Sequence, residues 1–294
     1  MRQAMADVER GQGRGGAFAV AFTGLVVALA FMLAAALPVR AAVERAKAEA
    51  FLHVTGFDVA LNSIALSAKD APMMLGMKAG EFGMQWTQAV KEVFAPVRMR
   101  EMALDILEPA LDEELLSYAA DFYASPLGQR LVEAENASHM VEDDAARRQE
   151  GEELLSAMQK DNPARVTLLK KMNAAVDSDG LGAKAAVELQ LRFLMAADDA
   201  GVIDLKLNEQ ALRAMLSKDA EGLKERLDES ALQSSAYTYR DFSDEDLQKY
   251  DAVLRDPRMQ KVYQLMNAIQ WEVMANRFEA IAVRMAGMDR GEEL

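Results

Sequence analysis

Apolar residues recur at spacings of three and four along most of the chain after Ala42, where Ala, Leu, Met, Glu, Lys, Gln and Arg dominate and β-branched residues are sparse. Side chains three and four apart share one face of a helix, so the pattern predicts a chain of amphipathic helices. Between Glu81 and Phe94, one stripe carries Phe82, Trp86, Ala89, Val90 and Val93 and is ended by Pro96. From Asp112 to Tyr123, Leu115, Tyr118, Ala119 and Phe122 fall in the same register, and a last helix from Pro257 to about Met288 turns Val262, Leu265, Ile269, Val273 and Ile281 inward. No useful run alternates apolar with polar residues, which argues against a sheet. The expected fold class is all-α.

Helix starts are written by a repeated device. Ser125-Pro126, Asn162-Pro163 and Asp256-Pro257 each set a side-chain acceptor before a proline. The oxygen accepts from an orphan N–H of the first turn, and proline has no N–H to lose at the first helical position. Breaks are expected near Gly56, Ala71-Pro72, Gly80, Pro96, Gly180 to Gly182, and Gly201. The stretch from Val141 to Lys160 is densely charged, yet Arg147 and Arg148 divide its acidic residues and Leu154, Leu155 and Met158 resume an apolar stripe. It reads as a solvated helix bridging two halves, not as a disordered linker.

The N-terminal region follows another logic. Ala17 to Leu37 is a 21-residue apolar run broken only by Thr23 and Gly24, preceded by Arg10 and Arg14 and followed by Val39-Arg40-Ala41. Basic, apolar and small-residue regions in that order form a secretory signal, which places the rest of the chain outside the cytoplasm, in a periplasm. At about 1.5 Å per residue the run could also span a bilayer as an uncleaved inner-membrane anchor facing the periplasm, the only membrane contact expected. After residue 41, 29 basic residues face 45 acidic ones. This net charge near −16 disfavours nucleic acid and anionic lipid as partners, since both need a basic surface. The absence of cysteine excludes disulfides, thiolate metal sites and a cysteine nucleophile.

Two segments repeat one another. Leu111 to Leu131 reads LDEELLSYAADFYASPLGQRL and Ser243 to Val262 reads SDEDLQKYDAVLRDPRMQKV. An offset of 132 pairs Leu115 with Leu247 and Tyr118 with Tyr250; after a one-residue gap an offset of 131 pairs Pro126 with Pro257 and Gln129 with Gln260. Physically this is a helical hairpin with an acidic start suited to the helix dipole and a capped proline at the corner. Gly128 lets another element sit close, and Met259 at the second corner predicts looser packing there.

The residues Leu115, Phe122, Tyr123, Ser125, Pro126, Gly128, Gln129 and Leu131 carry a pattern, FY-x-SP-x-GQ, that resembles the signature of a bacterial family called domain of unknown function 2059. The resemblance covers about 25 residues and is degenerate in the second copy, where Leu254-Arg255 replaces the aromatic pair. It implies a small, helical and typically exported protein. It brings no established activity and so no catalytic residue.

Chemistry-bearing constellations are few. Glu135, His139 and Asp143, each four apart, would share a helix face on which imidazole and carboxylates could hold a divalent metal, although a solvated acidic face is the plainer account and no second helix supplies matching ligands. His53 sits in an apolar helix and reads as a packing residue. Met73, Met74 and Met77 could suit Cu(I) or line a groove for a partner helix, but filling irregular gaps between helices is the plainer role. The aromatics in Tyr237 to Phe242 read as a plug between helices. A Ser-His-Asp triad lacks any supporting motif. No cofactor is expected.

These readings divide the chain into an export segment 1–41, a first helical unit 42–150 and a second, degenerate unit 161–290. The expected function is a non-catalytic module that binds another envelope protein or peptide, with a hydrolase or metalloprotein using the Glu135, His139 and Asp143 face as the alternative.

Overall fold

A computed structural model describes residues 44–288; the export segment 17–37 and its cleavage triplet lie outside the described residues. Every regular element among the described residues is helical. In order the α-helices are α1 (Arg45–Val54), α2 (Phe57–Ser67), α3 (Gly83–Val93), α4 (Pro96–Ala110), α5 (Glu113–Tyr123), α6 (Pro126–His139), α7 (Asp144–Asp161), α8 (Pro163–Val176), α9 (Gly182–Asp199), α10 (Glu209–Leu216), α11 (Ala220–Thr238), α12 (Asp244–Leu254) and α13 (Pro257–Met285). The expected breaks at Ala71-Pro72 and Gly80 fall in two 3₁₀ segments, Ala68–Leu75 and Ala79–Phe82.

The three capped prolines begin α6, α8 and α13. Ser125, Asn162 and Asp256 accept from the backbone N–H of Gly128, Arg165 and Arg258. The two hairpins, α5–α6 and α12–α13, turn the same corner. Their first helices are both 11 residues long, and the first-turn caps Asp112 and Ser243 accept from Leu115 and Asp246. Caps and prolines therefore keep one offset of 131 through both helices, in place of the shifted register expected from residue types. Leu116 and Leu247, and Ala119 and Tyr250, are the buried equivalents.

Gly128 closes the first corner. A Cβ there would lie 2.2 Å from the carbonyl oxygen of Phe122 and 2.6 Å from Tyr123 Cα, so α6 crosses α5 at backbone distance. Met259, at the second corner, is wholly buried. It fills with a side chain the space that the first corner closes with backbone.

The 29-residue α13 is the axis of the core, about 43 Å long at 1.5 Å per residue. It buries Met259, Val262, Met266, Ile269, Val273, Phe278 and Ile281 against helices from both halves of the chain. Phe278 meets Phe94 and Phe193 edge-on at 5.6 and 5.8 Å between ring centres. The charged helix α7 is mostly solvated, as its composition requires, but Gly151 and Leu155 pack on α11, where a Cβ on Gly151 would lie 2.5 Å from the Gln233 carbonyl oxygen. No single helix among the described residues is long and apolar enough to cross a membrane.

His53 does not pack. Its side chain is 88 % exposed and its Nδ1 lies 3.4 Å from Asp58, because α1 turns Phe51 and Leu52 inward and leaves position 53 outside. Met73 is 66 % exposed, whereas Met74 and Met77 pack against the core.

Candidate functional site

Five elements bring one carboxylate and four phenols together. Tyr123 is the last residue of α5, Glu135 lies on α6, Tyr239 follows α11, Tyr250 lies on α12 and Tyr263 on α13. A tyrosine on an inward helix face must find a partner for its hydroxyl when the ring is buried. Here the partners are one another. Tyr123 Oη lies 2.6 Å from Tyr263 Oη and 3.2 Å from Tyr250 Oη, and the Tyr250 and Tyr263 hydroxyls are 2.9 Å apart. Tyr239 and Tyr250 both donate to Glu135 Oε1, at 2.7 and 3.0 Å. No donor among the described residues reaches Glu135 Oε2.

Ring packing holds the phenols in place. Phe122 stacks on Tyr250 with centroids 5.8 Å apart and planes 12° from parallel, and meets Tyr123 edge-on at 5.0 Å. Tyr239 is edge-on to Tyr250 and to Phe242. The loop carrying Tyr239 is fastened by Arg165, a buried residue of α8 that donates to the carbonyls of Tyr239 and Phe242 at 2.7 and 2.9 Å and pairs with Asp244.

Burial pushes the Glu135 carboxyl above its usual range, while the hydrogen bonds from Tyr239 and Tyr250 hold it back. The same burial drives the hydroxyls of Tyr123, Tyr239, Tyr250 and Tyr263 well up, so all four stay protonated donors. His139 is pushed down by desolvation and then by the Arg147 guanidinium.

Glu135, Tyr239, Tyr250 and Tyr263 of this cluster line a cleft of about 660 Å³ between α6, α8, α11 and the 3₁₀ segment after α2. Its walls add Ser138, Asn173, Ser235 and Thr238, with Ser235 donating to Asn173 Oδ1 at 2.7 Å and Thr238 to Ser138 Oγ at 2.8 Å. A second, more apolar cavity of about 190 Å³ shares Glu135, His139, Val176 and Tyr263 with the cleft and reaches Phe57, Ala60, Val262 and Met266.

Of the three residues weighed as a metal face, the structure keeps Glu135 and His139 near one another and takes Asp143 away. Glu135 is in the tyrosine cluster, His139 lines both cavities, and Asp143 lies beyond the end of α6, where its carboxylate accepts from Ala146 N and caps α7. Among the described residues no three His, Asp or Glu side chains are grouped to hold a metal.

The signature residues divide between corner and cluster. Ser125, Pro126 and Gly128 make the turn, and Leu115 and Leu131 are buried beside it. Tyr123 enters the cluster, Phe122 supports it, and Gln129 is exposed. Residues 97–157 match the model of a family described as an uncharacterized protein conserved in bacteria, DUF2059. The match spans 61 of the 294 residues. The matched DUF2059 region runs from α4 into α7, so it contains Tyr123, Glu135 and the whole first corner. No curated protein and no solved structure matches the chain.

Sequence reasoning did not find the cluster. Tyr250 stood out only as a repeat partner, Tyr239 as part of a plug, and Tyr263 not at all. The available signal was a set of tyrosines on inward helix faces, each needing a buried partner, but nothing local says that they share one.

Proposed function

We propose that this is an exported, non-catalytic binding module, built on two copies of one helical hairpin, that receives a segment of another envelope protein or a peptide in the Glu135 cleft. One observation carries the reading: a half-buried carboxylate lining both cavities, whose Oε1 takes hydrogen bonds from two phenols while no donor among the described residues reaches Oε2. Binding sites are typically concave, with a few fixed polar groups amid apolar surface, and the paired polar and apolar cavities have that character. The four protonated tyrosines suit a fixed recognition surface better than a nucleophile, because an activated nucleophile needs a depressed pKa or an adjacent base. The basic, apolar and small-residue order of residues 10–41 supports export.

A photocrosslinking amino acid placed at Ser67 on the cleft rim, with a second at Lys218 away from it, tests the reading in living cells. The expected result is a discrete adduct from position 67 only, mapping to one partner sequence. Equal adducts from both positions, or none from 67, would sink it.

The second reading, a carboxylate–histidine hydrolase, draws on Glu135 and His139 lining the same cleft, the one with a raised and the other with a lowered pKa. It requires His139→Ala to abolish a hydrolytic activity that the folded protein possesses.

A further inference from the structure

The charge around Glu135 goes further and names the kind of group that the cleft takes; the step rests on the binding reading above. Both cations of the cleft are already committed: Lys69 lies 3.8 Å from Glu142, and Arg147 pairs with Asp144. Among the described residues no cation pairs with Asp70 or Glu135, which line the same cleft, while Asp177 there acts on the Lys224 ammonium. Asp177 accepts from the backbone N–H groups of Leu181 and Gly182, and Asp70 is at the exposed rim. Glu135 alone sets a half-buried carboxylate at the cleft with two phenols on one oxygen and no donor from the described residues on the other.

Glu135 is half-buried and its Oε2 stays open to solvent, so a cation entering the cleft can pair with it in surroundings drier than bulk water. The kind of cation follows from the oxygens. Guanidinium prefers a fork across both carboxylate oxygens, but the two phenols already occupy Oε1. An ammonium is a compact charge that needs only one strong acceptor, and hydroxyl and amide oxygens of Ser138, Ser235 and Asn173 stand in the same cleft for its other protons. The adjoining apolar cavity, walled by Phe57, Ala60 and Met266, suits a hydrocarbon stem leading to such a head.

We propose that the cleft captures a lysine side chain of the partner peptide, its ammonium paired with Glu135 Oε2 and its methylene stem against the apolar cavity.

The full chain, purified in mild detergent with its tyrosine rings isotopically labelled, is titrated with trilysine, with trilysine acetylated at each Nζ, and with triarginine. Only six tyrosines contribute signals. The expected result is saturable shifts of the cluster tyrosines with trilysine, at an affinity at least about tenfold above that for either other peptide, and a loss of about tenfold or more in Glu135→Gln, a fold-change worth about 1.4 kcal/mol. The glutamine keeps an oxygen for the two phenols, so the variant should fold; should it not, the three peptides on the wild-type chain decide the matter alone. Equal affinity for acetylated trilysine, or undiminished binding by a folded Glu135→Gln, overturns the assignment. Equal affinity for triarginine overturns the ammonium. In each of those cases a position-67 crosslink keeps the binding module and discards only its ligand, whereas absence of the crosslink removes both.

Discussion

Tyr123 and Tyr263, 140 residues apart in sequence, share a 2.6 Å hydrogen bond between their hydroxyls. It ties the final residue of α5, inside the DUF2059 segment, to the long axial helix α13. Removing the Tyr123 hydroxyl leaves Tyr263 and Tyr250 each short of a partner in an enclosed place. Tyr123→Phe is expected to destabilise the fold by about 1–3 kcal/mol. At about 2–4 °C per kcal/mol for a chain of this size, a melting curve resolves the change.

Three helix glycines give a graded test. A methyl at Gly128 would sit 2.2 Å from backbone, and one at Gly151 would sit 2.5 Å from backbone of α11. Gly128→Ala and Gly151→Ala should each cost about 1–3 kcal/mol through forced backbone movement. Gly222 differs, because a methyl there meets only the carboxylate of Asp219, which can rotate away. Gly222→Ala should be neutral or stabilising by up to about 1 kcal/mol from helix propensity. Chemical denaturation of the three variants should rank them in that order.

Arg165 is the fastening of the Tyr239 loop. Arg165→Met strands the buried Phe242 carbonyl, leaves the Tyr239 carbonyl with only the Phe242 N–H, and deprives Asp244 of the cation that, with Asn162, holds its carboxyl low. A loss of about 1–3 kcal/mol is expected. Hydrogen exchange should quicken first at Tyr239 to Ser243, and uniform quickening across the chain would contradict the local role.

The pH dependence follows from Glu135. Its carboxyl is raised in the folded state above the ordinary value of 4.5, so the native state holds this proton more tightly than the unfolded chain does. The associated stability is fully present below pH 4.5 and is lost as pH rises through the raised folded value. Glutamine does not titrate. Urea unfolding of the wild type and Glu135→Gln from pH 4 to 8 should therefore show the wild type losing stability relative to the variant as pH rises, and a gap that stays constant would rule out the assignment.

The helices, their caps and the two corners were legible because each depends on residues within a few positions of one another. A proline after Ser125, Asn162 or Asp256 acts on the next turn, and a stripe of three and four spacing declares an inward face wherever that face finally packs. The same locality misled at His53, where an apolar neighbourhood in sequence surrounds a position that the helix turns outward. It misled also at Asp143, which even spacing put on the face of Glu135 and His139 although α6 ends before it.

The sequence by itself determined the helical class, the capped starts, the corner motif and the acidic, cysteine-free composition. The fold decided that Tyr123, Tyr239, Tyr250 and Tyr263 meet at Glu135 and that two of these phenols share its Oε1. The physical reason is range. Capping and periodicity are settled by bonds to nearby residues, but the partner of a buried hydroxyl is whichever group the packing of five distant elements brings within 3 Å or so, and no spacing along the chain encodes that.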